Sequence, residues 1–147
     1  METKDNSYAR VEGMLYSYPK LAFEIKNLEI EIKMIENEYV GIKGKSDEVA
    51  SCTNAISSSV EKEIIAKEAR IASLSRKINH KKLLIEKIDN AIDALAALDE
   101  TDALLIKLRY IKGLEFKQIE MQIPMNEKSL MRKRSEIIKN KLIGMLA

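Results

Sequence analysis

The sequence predicts an all-α protein in two parts, a long antiparallel coiled-coil helical hairpin followed by a C-terminal domain of three short helices. Three observations carry this. Apolar residues recur every 3.5 positions over two long stretches. Residues that break helices are scarce, with 5 Gly and 2 Pro in 147 residues, while 33% of the chain is charged and 5% aromatic. Finally, pattern and charge both change near Leu98: residues 1–100 carry 15 basic and 18 acidic side chains, residues 101–147 carry 10 basic and 5 acidic. A basic segment on an otherwise mildly acidic chain points to an anionic partner at one end.

The first stretch places Val11, Met14, Tyr18, Leu21, Ile25, Leu28, Ile32, Ile35 and Tyr39 three and four residues apart in strict alternation. That is the seam of a coiled coil and predicts a helix over about 8–39. Pro19 lacks an N–H and clashes one turn back, so it either opens the main helix or kinks a longer one. Tyr16 and Tyr18 are expected to pack around it. Residues 40–57 contain Gly41, Gly44 and a run of small polar residues, a connector. Ser57, Ser58 and Ser59 precede Val60 and Glu61, an N-cap signal that starts the second helix near 58. There Val60, Ile64, Ile71, Leu74, Ile78, Ile85, Ile88, Ile92 and Leu95 share one seam, and Lys67 and Lys81 fill its two remaining positions. The helix is expected to end near 98, a length of roughly 60 Å at ~1.5 Å per residue. Lysines in a seam weaken packing and set register or partner number. Neither helix buries its stripe alone, so residues 1–98 are expected to pair within the chain, with copies of it, or both. A homodimer or higher homo-oligomer follows from that need.

From Asp99 the pattern becomes denser. Asp99 can cap a helix whose first turn carries Glu100 and Asp102, near the positive end of the helix dipole. Ala103, Leu104, Leu105, Leu108, Tyr110 and Ile111 form its apolar positions, and Gly113 stands at the C′ position. Phe116, Ile119 and Ile123 mark a second, two-turn helix closed before Pro124. Asn126 caps a third, carrying Leu130, Ile137, Ile138 and Leu142 inward. A short helix, a tight turn and a longer basic helix make the helix-turn-helix layout, and residues 99–147 are taken as that domain.

On a helical wheel, Lys128, Ser129, Arg132, Ser135, Glu136 and Lys139 of the third helix face outward, with Lys133 beside them. Arg and Lys donate to guanine edges, Ser donates or accepts, and further lysines neutralise phosphates. The first turns of such a helix reach furthest into the major groove. Glu127, Lys128, Ser129 and Arg132 are therefore the candidates nearest the base edges of double-stranded DNA. Lys133 and Lys139, with Lys117 and Gln118 of the preceding helix, are candidates for the backbone.

Catalytic signatures are missing from the sequence. His80 is the sole histidine, set among Asn79, Lys81 and Lys82, and reads as a solvated helix residue. Cys52 is the sole cysteine, so no intrachain disulfide or zinc set can form from local spacing, and it is expected to be a small connector residue. Gly41 and Gly44 are too sparse for a phosphate loop. Carboxylate pairs such as Glu36/Glu38 and Glu61/Glu63 read as coil-surface charges, and Met121, Met125, Met131 and Met145 as packing or spacer residues. No enzyme activity, metal or cofactor is expected. A single cysteine, no apolar run of membrane length and no secretory pattern at Met1–Asn6 predict a cytoplasmic protein without membrane contact.

Residues 98–142, LDETDALLIKLRYIKGLEFKQIEMQIPMNEKSLMRKRSEIIKNKL, resemble the region-4 helix-turn-helix of sigma-70-type factors. Leu104, Arg109-Tyr110, Gly113-Leu114, Phe116, Ile119, Asn126-Glu127 and Ser129-Leu130 fall where that pattern places them. Joined to a charged helical front with the Ser-rich junction Thr53–Glu61, the chain is similar to phage and prophage late-gene transcription regulators of the RinA/ArpU type. The resemblance implies a sequence-specific DNA-binding regulator acting at promoters, with RNA polymerase as a further partner. Three positions depart from the pattern: Glu120 where a small residue is preferred, Pro124 in place of the turn glycine, and Arg134 where an aliphatic residue is usual. Arg134 is expected to snorkel or reach a phosphate. Two other readings stay open, a coiled-coil adaptor that binds protein and a small-terminase-like DNA-packaging protein.

Overall fold

The computed structural model describes residues 4–38 and 53–147. Among them the chain is helical apart from short connections and contains no strand, so the all-α class holds. The helices are α1 (Lys4–Glu36), α2 (Thr53–Leu98), α3 (Glu100–Ile106), α4 (Phe116–Ile119), α5 (Glu127–Ile137) and α6 (Ile143–Leu146). Wide turns at Lys107–Ile111 and Ile138–Leu142 extend α3 and α5. In the first of them the Lys112 N–H reaches back five residues to the Lys107 carbonyl, at 2.9 Å.

Several boundaries differ from the sequence expectation. Tyr39, Cys52 and the glycines of the connector lie outside the described residues. α2 begins at Thr53, so residues 53–57 are helical rather than connector, and the serines at 57–59 lie inside the helix instead of capping it. Thr53 and Asn54 are themselves cap-forming residue types, and serine is tolerated within a helix. α1 neither starts nor stops at Pro19 but runs through it. Pro19 removes one donor, and nearby Ser17 Oγ donates to the Met14 carbonyl at 2.7 Å. The second short helix ends at Ile119 rather than Ile123, which is buried within the turn that follows.

The chain forms two compact units, one of Met1–Phe23 with Lys82–Ala147, the other of Glu24–Lys81. This division differs from the sequence boundary at 98/99, because the first turns of α1 and the last turns of α2 pack with the C-terminal helices.

In the Glu24–Lys81 unit, α1 and α2 run antiparallel. Lys81 Nζ meets Glu24 Oε2 at 2.6 Å near one end. Towards the other end, Arg70 forks onto the Glu38 carboxylate at 3.3 Å from each nitrogen. Lys67 Nζ donates to the carbonyls of Glu36 and Glu38 at 3.0 and 3.2 Å. Both seam lysines thus have work: Lys81 neutralises an acid, and Lys67 satisfies carbonyls at the negative end of α1. Ile25, Ile35 and Ile78 are buried, whereas Leu28, Ile32, Ile71 and Leu74 are half-buried and Ile64 is 40% exposed. Two helices alone cover only the middle of a seam, which accounts for its open edges.

The other unit holds a contiguous core. Val11, Leu15 and Leu21 of α1 and Ile88, Ile92 and Leu95 of α2 meet Leu105, Ile106, Leu108, Tyr110, Phe116, Ile119, Ile123, Leu130, Ile137, Ile138, Leu142 and Leu146. Leu15, outside the predicted seam, is fully buried because the C-terminal helices add a second face to α1. Tyr18 Oη donates to Asp89 Oδ1 at 2.5 Å, and Lys87 Nζ donates to the Leu146 carbonyl at 3.3 Å. Asp99 caps α3 by accepting from the Thr101 N–H at 2.9 Å, and Gly113 closes its extension at φ 69°, the left-handed conformation that glycine takes without a steric penalty.

Candidate nucleic-acid interface

The candidate surface is built from α4, the turn Glu120–Met125 and α5. Gln118 Oε1 accepts the Glu115 N–H at 3.0 Å, so this exposed side chain also starts α4. Phe116, Ile119 and Ile123 are buried and fix the turn from below. Asn126 Oδ1 accepts the Ser129 N–H at 2.8 Å and sets the first turn of α5. Leu130 and Ile137, with Ile138 and Leu142 in the extension, hold α5 to the core. Their spacing leaves Lys128, Arg132, Glu136, Lys139 and Asn140 exposed on the other face, flanked by half-buried Ser129, Lys133 and Ser135.

The basic residues of this region divide into two sets. Lys133 Nζ lies 3.2 Å from Asp102 Oδ1, and Lys141 Nζ lies 2.6 Å from Oδ2. Asp102 is 3% exposed. Burial disfavours its charge, but the hydrogen bonds and charges of the two ammonium groups outweigh that and hold the carboxyl below its ordinary range. The same hydrogen bond raises the Lys141 pKa. Arg134 is also taken up. Its Nη1 lies 3.4 Å from Glu12 Oε2, and its guanidinium sits 5.4 Å from the centre of the Phe116 ring. Arg109 stacks on Phe116 at 4.5 Å and donates to the Leu114 carbonyl at 3.2 Å. Tyr110 Oη donates to Glu12 Oε2 at 2.7 Å, and burial first, then that carboxylate, raises the phenol's pKa. Arg134, expected to snorkel or reach a phosphate, is instead turned towards Glu12 on α1.

The second set makes no ion pair among the described residues. Lys117, Lys128 and Arg132 are exposed. Lys139 is exposed and stands 6.0 Å from the Tyr8 ring, and Tyr8 Oη lies 3.4 Å from Ser135 Oγ. Glu127 is half-buried in the first turn of α5, where the dipole favours an acid. Glu120 and Pro124 are exposed, so neither crowds the core.

Sequence reasoning missed the Asp102–Lys133–Lys141 and Glu12–Tyr110–Arg134 clusters. Each acid lies 31 to 122 residues from the groups it binds, so no local spacing could reveal them; an aspartate in a first turn reads as a dipole partner. Met125 and Met145 pack against the core, while Met121 and Met131 are exposed. His80 is exposed, and the described residues contain no group of three or more potential metal ligands. No described helix is long and apolar enough to cross a membrane. Compared with known protein families, curated proteins and solved structures, the chain finds no match.

Proposed function

We propose that this protein is a sequence-specific, double-stranded-DNA-binding transcription regulator. α4, the turn and α5 act as a helix-turn-helix, and α5 enters the major groove. One observation carries the reading: Asn126 starts α5 so that Lys128 and Arg132 project from its exposed face with no ion pair among the described residues, while Lys133, Arg134 and Lys141 are neutralised within the fold. A helix that is merely soluble has no need to separate its cations this way. Lys128, Ser129 and Arg132 take base edges, and Lys117 and Lys139 take phosphates. Lys133 and Gln118, candidates from sequence, serve Asp102 and the α4 cap first. The α1–α2 hairpin works as a coiled-coil scaffold that joins copies and offers RNA polymerase a surface in the cytoplasm. Two half-sites on one scaffold raise affinity through effective concentration.

The test is selection of random duplexes by the purified protein across a salt series. One enriched motif that survives moderate salt supports the reading. Arg132→Ala then weakens that motif by about 1–3 kcal/mol and random DNA far less. No enrichment at any salt, or equal losses on motif and random DNA, overturns it.

A further inference from the structure

α1 carries a second stripe on the face turned away from α2. Leu21, Ile25 and Ile35 are buried, with Leu28 and Ile32 beside them. On the opposite side of the same uninterrupted helix lie Lys20, Phe23, Asn27, Ile30 and Met34, spaced 3, 4, 3 and 4. Phe23 is 73% exposed, Ile30 46% and Met34 64%. Isolated exposed apolar residues need no explanation, but large ones in heptad register do. In that register Phe23 and Ile30 take d positions, and Lys20, Asn27 and Met34 take a positions.

We infer that this stripe is the seam of a parallel two-stranded coiled coil between α1 and α1′ of a second copy. The flanking charges choose the occupant and its direction. Within α1, Lys26 and Lys33 occupy g positions and Glu31 an e position. In a parallel pair, g of one helix faces the e′ residue five further along the other, which brings Lys26 to Glu31′. An antiparallel pair sets g against g′ and e against e′, lysine on lysine and glutamate on glutamate. Lys26 and Glu31 have no ion pair among the described residues. The pair Lys26–Glu31′ therefore carries the selection. Asn27 at an a position meets Asn27′ and fixes the register, at a cost in stability that suits a reversible dimer. This interface does not depend on whether α5 meets DNA, and its test contains no DNA.

Sedimentation equilibrium of the full chain over a concentration series should show a reversible monomer–dimer equilibrium. Phe23→Asp with Ile30→Asp should weaken association by roughly tenfold or more, since two exposed apolar contacts per helix are lost, with the circular dichroism unchanged. Glu31→Lys alone should also weaken it, and adding Lys26→Glu should restore it. In a Cys52→Ser chain, Met34→Cys should form a disulfide-linked dimer on mild oxidation, because parallel pairing sets residue 34 against its own copy. That cross-link decides the matter even where the double aspartate variant fails to fold. A monomer at every concentration overturns the proposal, as does a dimer indifferent to the aspartates, or one that resists cross-linking through Met34→Cys.

Discussion

Asp102 is a carboxylate taken out of water and kept charged by two ammonium groups. Removing it takes the shared acceptor from Lys133 and Lys141, and Asp102→Ala should lower unfolding stability by about 1–3 kcal/mol in a urea titration. Folding lowers the Asp102 pKa, so its contribution is complete above the ordinary value of 3.8 and drains away as pH falls from there through the lowered value. The wild-type protein should therefore lose more stability on acidification than Asp102→Ala does. Tyr18 has the opposite sign. The hydrogen bond to Asp89, then burial, push its phenol from 10.0 to about 12. Its contribution is full below 10.0 and disappears as pH rises through about 12. An ultraviolet titration should show a late-ionising tyrosine that moves back towards 10.0 in Asp89→Asn. Arg134, a half-buried cation, is accommodated by the Glu12 carboxylate and the face of the Phe116 ring.

At the scale of elements, caps and breakers decide where helices begin and how they run. Asn126→Ala should destabilise the protein by about 0.5–2 kcal/mol, as the Ser129 N–H loses its acceptor. Gly113→Ala meets no neighbouring atom but must hold φ at 69°, and should cost about 1 kcal/mol. Pro19→Ala should raise the melting temperature, since α1 regains a hydrogen bond within a helix that already passes through that position. The elements were largely legible in the sequence. The two seams, Asp99, Gly113 and Asn126 each signal their roles through residue type and short spacing. What stayed hidden depends on distant partners. The serine run misplaced the start of α2, since a cap signal cannot be told from a tolerated serine without knowing what precedes it. Leu15 was missed because its burial comes from helices that begin 85 residues further along the chain, and the ion pair of Lys133 because its partner, Asp102, lies on another helix.

For the whole molecule, the separation of engaged from free cations makes the DNA reading measurable. Lys128→Ala and Lys117→Ala should each reduce the slope of log affinity against log salt by about 1. Lys133→Ala should leave the slope in place and lower stability instead, because its charge is already spent on Asp102. The unit carrying α5 draws on both Met1–Phe23 and Lys82–Ala147, and Val11, Leu15 and Leu21 belong to its core. A fragment starting at residue 99 should accordingly be less helical by circular dichroism than the same segment within the full chain, and should melt without cooperativity. The same discontinuity has a consequence for synthesis. Val11 and Leu15 leave the ribosome well before the helices that bury them, and the 58 residues from Glu24 to Lys81 must be made in between. At ~5–20 residues per second that is a wait of roughly 3–12 s. The nascent α1 spends that interval with two apolar faces uncovered, a window in which a chaperone or a neighbouring nascent chain can reach it before its own C-terminal helices do.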